Sequence, residues 1–389
     1  MADPSTSPPL TRASVIEAHK LIKTYIHHTP VLTNASLTEL ASRPREAASL
    51  VGTPWEGRRP ARPGKLNLWF KCENFQRVGA FKVRGAFHAI ERLKRETGWL
   101  TGGGAQMGVV THSSGNHAQA LSLAARSNGI PAYIVMPTIS APSKIAATKG
   151  YGASVIFSGS TSVEREAVAA KVIEETGARL VPPYDHPDIV LGQGTVGLEL
   201  QDDVEALMAG EAADRATGSS SPPTKKKGLD AILAPCGGGG LLSGVALSCE
   251  GTEIRVFGTE PSFQGADDAK RGYESGTRVE SVSTLTIADG LRTPVGTVPW
   301  GIIYERKLVS GFYSVTETEI KDALRLVLER FKIVIEPSAA VPLAVALYNE
   351  EFRGMVEREG GGEGWDVGIV FSGGNVSLDA LGKLFAGES

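Results

Sequence analysis

The sequence predicts an α/β fold in which mostly parallel sheets carry helices on both faces. From Leu66 onward, short apolar segments alternate with longer segments of helical periodicity, a pattern typical of parallel sheets. The hydrophobic fraction of 41% and the formal net charge of −3 over 389 residues describe a globular chain long enough for two domains. Three turns rich in glycine or serine each follow a predicted strand, where parallel sheets bind their ligands.

The elements follow in order along the chain. The predicted strands are 66–72, 108–111, 132–136, 154–157, 231–234, 255–259 and 366–371. The predicted helices are 13–25, 81–96, 116–128, 163–176, 241–249, 317–331 and 339–348. Two segments lack apolar periodicity: 42–65 is rich in Pro, Gly, Arg and Ala, and 204–228 contains a serine-proline run and three lysines. We interpret both as mobile surface insertions.

Composition excludes several classes of protein. No basic patch dominates the chain, which argues against a nucleic-acid partner. The polar segment 1–11 lacks the features of a signal peptide, and no apolar run is long enough to span a bilayer. Cys72, Cys236 and Cys249 have neither disulfide-scaffold density nor zinc-type spacing. We therefore expect a cytoplasmic protein that does not bind membranes.

A first motif, residues 74–86, places Lys82 at a junction between a strand and a helix. Lys82 follows a short loop and Phe81 and opens a helical segment. An amine at such a junction is suited to covalent chemistry. The alternative is an ordinary surface lysine, and three distant segments favour the covalent role.

The second motif follows the strand at 108–111. It places Ser113, Ser114 and Gly115 in a turn and enters a helix at Asn116. The amides at a helix N-terminus attract a carboxylate such as that of an α-amino acid. Simple helix capping explains one of these residues, but less readily the whole run.

The third motif is a run of four glycines, 237–240, between a strand and a helix. Its backbone amides can close around a phosphate, whose charge the helix dipole favours. The run completes neither G-x-G-x-x-G nor a Gly-Lys-Ser/Thr sequence, which disfavours a dinucleotide fold or a nucleotide P-loop. A glycine turn without a ligand is the alternative.

The fourth motif, Phe371-Ser372-Gly373-Gly374-Asn375, again ends a strand, although a serine in a tight turn is common. In this order and at these separations, the four motifs resemble the serine racemase and serine/threonine dehydratase family of fold type II pyridoxal phosphate (PLP) enzymes. The resemblance covers about 29–379 outside the insertions. It implies two three-layer α/β/α lobes with the cofactor in the cleft between them. Residues 107–183 would form a small lobe that closes over substrate, and residues 1–106 and 184–389 the large one.

The resemblance also implies the roles of individual residues. Lys82 would bind PLP as an imine and act as a base, and Phe81 would flank the ring. The ring's 3-oxygen would contact Asn116, and its nitrogen Ser372. The phosphate would be held by Gly237, Gly238, Gly239, Gly240 and Leu241. The substrate would be bound by Ser113, Ser114, Asn116, His117 and Asp289.

Ser114 would be a second catalytic residue. In racemases of this family, the hydroxyl at this position faces the substrate from the side opposite the lysine, so that a proton leaves one face and returns on the other. Serine and 3-hydroxyaspartate dehydratases of the family also carry serine here. Ser114 thus permits racemisation without proving it.

A divalent cation site would consist of Glu260, the main-chain oxygen of Ala266, and Asp268. Hard oxygen ligands suit Mg²⁺, Ca²⁺ or Mn²⁺, and solvated surface acids are the alternative. Residues 263–265 lengthen this segment relative to the serine racemases. Arg165 and Glu336 match family positions near the active site but also fit structural ion pairs.

The implied activity is that of a PLP-dependent ammonia-lyase. It would convert a β-hydroxy amino acid (serine, threonine or 3-hydroxyaspartate) to a 2-oxo acid and ammonia, and it is compatible with serine racemisation. One alternative is β-replacement as in cysteine or cystathionine synthases, whose asparagine loop differs from Ser-Ser-Gly-Asn-His. Another is a PLP-binding protein without catalysis, against which Lys82 and Ser114 argue. The resemblance also implies a homodimer.

Overall fold

The computed structural model describes residues 3–113, 115–140, 142–216 and 228–386. The strands are β1 (Val31–Thr33), β2 (Leu66–Cys72), β3 (Val109–His112), β4 (Ala132–Pro137), β5 (Ser154–Ser158), β6 (Arg179–Leu180), β7 (Ala231–Pro235), β8 (Arg255–Pro261), β9 (Gly311–Val315) and β10 (Trp365–Phe371). The helices are α1 (Arg12–Ile22), α2 (Ala35–Ser42), α3 (Lys82–Arg95), α4 (Gly104–Met107), α5 (Asn116–Ser127), α6 (Pro142–Gly150), α7 (Ser162–Thr176), α8 (Pro187–Ala216), α9 (Gly240–Ser248), α10 (Asp268–Ser275), α11 (Thr297–Trp300), α12 (Glu317–Leu326), α13 (Pro337–Tyr348), α14 (Glu350–Gly360) and α15 (Leu378–Phe385).

Two sheets organise the chain. The larger has the strand order β1-β2-β10-β7-β8-β9, and the smaller the order β5-β4-β3-β6. Every pairing is parallel except that of β1 with β2. The predicted α/β class with mostly parallel sheets is therefore confirmed, and each predicted strand is present with ends shifted by at most two residues.

The larger sheet brings distant segments to one edge. β10 is buried along its whole length, as expected for a parallel strand with helices on both faces. It lies between β2 and β7, and Phe371 aligns with Cys72. Because parallel strands end at the same edge, the turns after β2, β7 and β10 are neighbours.

Helix α8 was not predicted from the sequence. Its 30 residues pack against α3 and α9, and glycines make these contacts close. A Cβ at Gly192 would lie 2.7 Å from the Cα of Gly85, and one at Gly194 would lie 2.7 Å from the carbonyl oxygen of Gly244. A helix buried on several sides has no single apolar stripe, so its periodicity is weak.

The predicted insertion at 204–228 is wrong in its first half. α8 continues to Ala216, and Val204 is fully buried. The serine-proline and lysine runs lie outside the described residues. Residues 43–65 carry one 3-10 turn, Ala47–Leu50, and no longer element. Among the described residues, no helix has the length and apolar character needed to cross a lipid bilayer.

Candidate active site

Two 3-10 turns, Glu73–Phe75 and Arg77–Gly79, lead from β2 to Lys82, the first residue of α3. Gly79 has a φ of +67°, and a Cβ there would lie 2.9 Å from Oδ1 of Asn375. The amide of Phe81 donates a hydrogen bond to the carbonyl of Ser372 at 3.1 Å. These contacts fix Lys82 relative to the turn after β10.

The amine of Lys82 is held in a desolvated position. Its Nζ donates to the carbonyl of Pro183 at 2.7 Å and lies 5.2 Å from the centre of the Phe81 ring. Burial lowers the pKa of Lys82 to about 8, although the nearby carboxyl of Glu336 opposes this shift. A larger share of the amine is therefore neutral near pH 7 to 8 than for an exposed lysine, as a nucleophile or base requires.

Ser372 directly follows β10 and is 3% exposed. Among the residues that the structure describes, its hydroxyl has no hydrogen-bond partner. Its Oγ is not one of the fully buried side-chain atoms that lack a partner in the described chain, so the hydroxyl is accessible. Ser372 is therefore ready to bond a polar atom of a ligand.

The glycine turn leads from β7 into α9. Gly239, at a φ of +84°, is the N-cap, and no side chain caps the helix. The amides of Gly240 and Leu241 have no acceptor within the described part of the chain. A Cβ at Gly238 would lie 2.4 Å from the ring of Tyr184, so only glycine fits there. The turn thus presents free amides at a helix N-terminus, where an anion is stabilised.

Asn116, Glu336 and Asn375 form a hydrogen-bonded chain beside this cleft. Asn116 donates to Oε1 of Glu336 at 2.8 Å, and Asn375 donates to Oδ1 of Asn116 at 2.8 Å. Burial and the charge of Asp289 raise the pKa of Glu336 to about 8. Glu336 forms no ion pair with a described residue, so the structural ion pair left open by the sequence is not observed.

The residues predicted to surround the substrate carboxylate make different contacts. Ser113 accepts a weak hydrogen bond from the amide of Gly115 at 3.4 Å. His117 is buried, and its Nε2 lies 3.1 Å from the carbonyl oxygen of Val181. Burial and the charge of Lys82 lower the pKa of His117 to about 3, so the ring is neutral. Ser114 lies outside the described residues.

Asp289 contacts a lysine that the sequence did not single out. Its Oδ2 accepts from Nζ of Lys144 at 2.7 Å, and both side chains are partly exposed. Lys144 lies on α6, which follows β4 and precedes β5 of the smaller sheet in the chain, whereas Asp289 lies in the segment between β8 and β9 of the larger sheet. The pair therefore links the segments of the two sheets.

Residues 181–185 also line this region, and no motif marked them. Besides the carbonyls of Val181 and Pro183, which accept from His117 and Lys82, the ring of Tyr184 covers Gly238. The carboxylate of Asp185 accepts from the first two amides of α11 at 3.0 and 2.8 Å. Val181 and Pro183 contribute backbone carbonyls, which leave no signal in the sequence.

The predicted cation ligands lie behind the glycine turn. Both oxygens of Glu260 accept amides of α10, at 3.0 and 2.8 Å. Oδ2 of Asp268 accepts from the amide of Val295 at 3.3 Å, whereas Oδ1 is buried without a partner in the described chain. Burial raises the pKa of Asp268 to about 6, and burial with the charge of Asp268 raises the pKa of Glu260 well above its usual range.

This donor set fits a hard cation. Among the described residues, no group of three His, Cys, Asp or Glu side chains is placed to hold a metal ion, so a metal needs main-chain oxygens and water as further ligands. Two buried carboxylates, one with an unused oxygen, and the carbonyl of Ala266 are of the type that Mg²⁺ and Ca²⁺ bind. Val295 joins this cluster to the glycine turn, because its Cγ1 would lie 3.2 Å from a Cβ at Gly239.

Arg165 and Cys236 lie on α7 and directly before the glycine turn, respectively. Nη1 of Arg165 donates to the carbonyl of Ser160 at 2.9 Å. Cys236 is fully buried, and burial raises the pKa of its thiol well above the usual range. Cys236 therefore fits the small buried thiol expected from the sequence.

Comparisons with known proteins identify the family of this chain. Residues 53–373 match the family described as pyridoxal-phosphate dependent enzyme. The chain is 40% identical to a serine racemase of Arabidopsis thaliana, over 96% of this chain and 95% of that protein. It is 36% identical to an L-threo-3-hydroxyaspartate ammonia-lyase of Saccharomyces cerevisiae, over 97% of each. The crystal structure of serine racemase from Dictyostelium discoideum superposes with a TM-score of 0.74 at 39% identity, covering 95% of this chain and 99% of that one. The chain therefore belongs to the pyridoxal-phosphate dependent enzymes, in the serine racemase and serine/threonine dehydratase family.

Proposed function

We propose that this enzyme converts a β-hydroxy amino acid (serine, threonine or 3-hydroxyaspartate) to a 2-oxo acid and ammonia, through loss and later re-addition of one water, and that it also racemises serine. The observation that carries the proposal is the desolvated amine of Lys82, whose pKa is lowered to about 8. The relatives named serine racemase and 3-hydroxyaspartate ammonia-lyase support both reactions.

PLP fits the groups that converge on the cleft. Lys82 supplies the amine, Ser372 an unpaired hydroxyl, and Gly237–Leu241 free amides for a phosphate. Phe81 and Asn116 lie beside them. PLP, when bound, withdraws electrons from the Cα of an amino acid and so acidifies its Cα–H bond. A hydroxyl partner for the ring nitrogen leaves PLP a milder electron sink than a carboxylate partner does.

Lys82 is the base in this proposal. Its neutral amine takes the Cα proton, and the lowered pKa leaves a larger neutral fraction than an exposed lysine has. The β-hydroxyl then leaves with a proton as water. The resulting enamine tautomerises to an imine, which water hydrolyses to the 2-oxo acid and ammonia, so the atoms balance.

The protonation states of the neighbouring residues determine the net charge of the cleft. Glu336, with a pKa raised to about 8, is mostly protonated at neutral pH and adds little negative charge beside Lys82. Asn116 and Asn375 hold it in place. The neutral ring of His117 adds no positive charge either. With Ser113, Asn116 and Asp289, His117 is proposed to line the substrate pocket.

We propose that Ser114 donates the proton to the opposite face of Cα, which gives racemisation. Its place between Ser113 and Gly115, at the entrance to α5, supports this role. In a Ser114→Ala variant we expect racemisation to fall at least tenfold more than elimination from L-serine. Equal losses of both reactions would contradict the role.

A divalent cation, Mg²⁺ or alternatively Ca²⁺ or Mn²⁺, is proposed to bind Glu260, the carbonyl of Ala266, and Asp268. The unpaired Oδ1 of Asp268 supports this assignment. Because Val295 bridges this cluster to the glycine turn, the cation would stabilise the phosphate site. Chelation should lower the melting temperature and Mg²⁺ should restore it, and an Asp268→Asn variant should lose the response.

The segment 107–183, which contains the smaller sheet, is proposed to close over substrate on the large lobe formed by residues 1–106 and 184–389. The ion pair of Lys144 with Asp289 supports such closure. The homodimer, the cytoplasmic location and the absence of nucleic-acid binding stay predictions.

The direct test is incubation of the holoenzyme with each enantiomer of serine, threonine and 3-hydroxyaspartate. A 2-oxo acid assay and chiral chromatography of the remaining amino acid would separate elimination from racemisation. We expect both with serine. The proposal is wrong if no β-hydroxy amino acid yields a 2-oxo acid while sulfide and O-acetylserine yield cysteine.

A further inference from the structure

A cavity of about 480 Å³ lies outside the catalytic cleft, between residues 55–61 and one face of α14. Its size is within the range of roughly 300–1,000 Å³ typical of small-molecule sites. Trp55, Arg58 and Arg59 line one side, and Glu357 and Arg358 line the other. The proposed catalytic function uses none of these residues.

The wall formed by the predicted insertion is fixed to the core. Nη1 of Arg45 donates to the carbonyl of Tyr348 at 2.8 Å, and its guanidinium lies 5.5 Å from the centre of the Tyr348 ring. Further along, Leu50 is 1% exposed, and the amide of Ala61 donates to Oε2 of Glu350 at 2.6 Å. The cavity is therefore preformed.

Both carboxylate oxygens of each acidic residue in the cavity already accept a hydrogen bond. Glu350 uses its remaining oxygen, Oε1, to accept from Nε of Arg353 at 3.0 Å. Glu357 accepts from Nη2 of Arg59 at 2.7 Å and from the amide of Arg62 at 2.9 Å. Neither carboxylate is available to neutralise a further cation.

Two arginines of the cavity have no acidic partner among the described residues. Within the described chain, Arg58 and Arg358 form no ion pair, and their guanidinium groups make no hydrogen bond. Nη1 of Arg358 lies 3.4 Å from the point where a Cβ at Gly354 would stand, so the absence of a side chain at Gly354 keeps this part of α14 open. Trp55 is half-buried in the same wall. The cavity thus combines two unpaired guanidinium groups with an indole ring.

We propose that this cavity binds an organic phosphate that carries a planar ring. Guanidinium groups pair with phosphate oxygens through two parallel hydrogen bonds, and two of them match the two charges of a phosphate monoester. The indole of Trp55 offers an apolar face on which a planar ring stacks. The site is independent of the proposed catalytic reaction, so each proposal can fail without the other.

Isothermal titration calorimetry of the holoenzyme, with its own cofactor site filled, tests the proposal. The probe is phenyl phosphate, with inorganic phosphate and benzoate as comparisons at constant ionic strength. We expect one equivalent of phenyl phosphate to bind more tightly than either comparison, and Trp55→Ala to reduce its affinity to that of inorganic phosphate. Benzoate binding as tightly as phenyl phosphate would refute the ligand class.

Variants of the cavity locate the binding. Arg58→Gln combined with Arg358→Gln should weaken binding at least tenfold, and Gly354→Leu should block the cavity without changing its charge. The matched control, Arg95→Gln with Arg330→Gln, changes the net charge equally outside the cavity and should leave binding unaltered. The proposal is overturned if the cavity variants bind like the parent protein, or if the parent shows no binding up to about 10 mM phenyl phosphate.

Discussion

Replacing Lys82 by methionine should make the cofactor-free protein more stable at pH 7. Burial lowers the pKa of Lys82 from 10.5 to about 8, which at ~1.36 kcal/mol per pKa unit corresponds to about 3 kcal/mol against the folded state. Partial exposure of the side chain reduces this to about 2 kcal/mol. Loss of the hydrogen bond to Pro183 costs about 1 kcal/mol. We therefore expect a net stabilisation of about 1 kcal/mol.

The sign of the pH dependence follows from the same shift. Below pH 8 the amine is charged in both folded and unfolded protein, and the full penalty is present. Between pH 8 and 10.5 the folded protein releases its proton first, so the penalty falls to about a quarter by pH 10. The advantage of Lys82→Met should shrink accordingly.

Urea denaturation of the apoprotein at pH 7 and pH 10 measures this difference. The matched control is Lys383→Met, at an exposed lysine, and it should change stability by less than about 0.5 kcal/mol at both pH values. A Lys82→Met variant that is less stable than the parent at pH 7, or whose advantage does not depend on pH, would refute the desolvated amine.

Three further perturbations test other parts of the structure. Arg84→Met leaves buried Glu73 without a cation and leaves Glu199 paired with Lys71. Urea denaturation should show a loss of about 3–5 kcal/mol, and a loss below about 1 kcal/mol would contradict this buried ion-pair network. Lys144→Gln removes the partly exposed ion pair with Asp289 across the cleft. Steady-state kinetics should show a higher KM, while the unfolding free energy should change by less than about 1 kcal/mol. An unchanged KM would argue against closure of the small lobe. Gly238→Ala places a Cβ 2.4 Å from the ring of Tyr184, and absorbance titration should show PLP affinity reduced at least tenfold. The control is Gly210→Ala, which has open space around the added Cβ and should bind PLP with the parent's affinity.

The sequence predicted the parts of the fold whose signal is local. The central strands β2, β7 and β10 are apolar runs bounded by turns, and their ends were predicted within a residue. The glycine run before α9 marks a place where a side chain has no room, as the Tyr184 contact shows. Short strands such as β6, with two residues, carry too little periodicity to be recognised.

What the sequence could not supply are contacts between residues far apart in the chain. Asn116, Glu336 and Asn375 are joined by side-chain hydrogen bonds across more than 200 residues. The ion pair between Lys144 and Asp289 spans 145 residues, and each partner alone is an ordinary surface charge. Such pairs depend on how the two sheets come together, which no local pattern records.

The most direct test of the catalytic account is to trap the cofactor on its lysine. Holoenzyme reduced with sodium borohydride should lose its visible absorbance, and peptide mass spectrometry should find the pyridoxyl phosphate on Lys82. The Lys82→Met variant should show no such adduct. Label on another lysine, or protein without a reducible chromophore after incubation with PLP, would contradict the account.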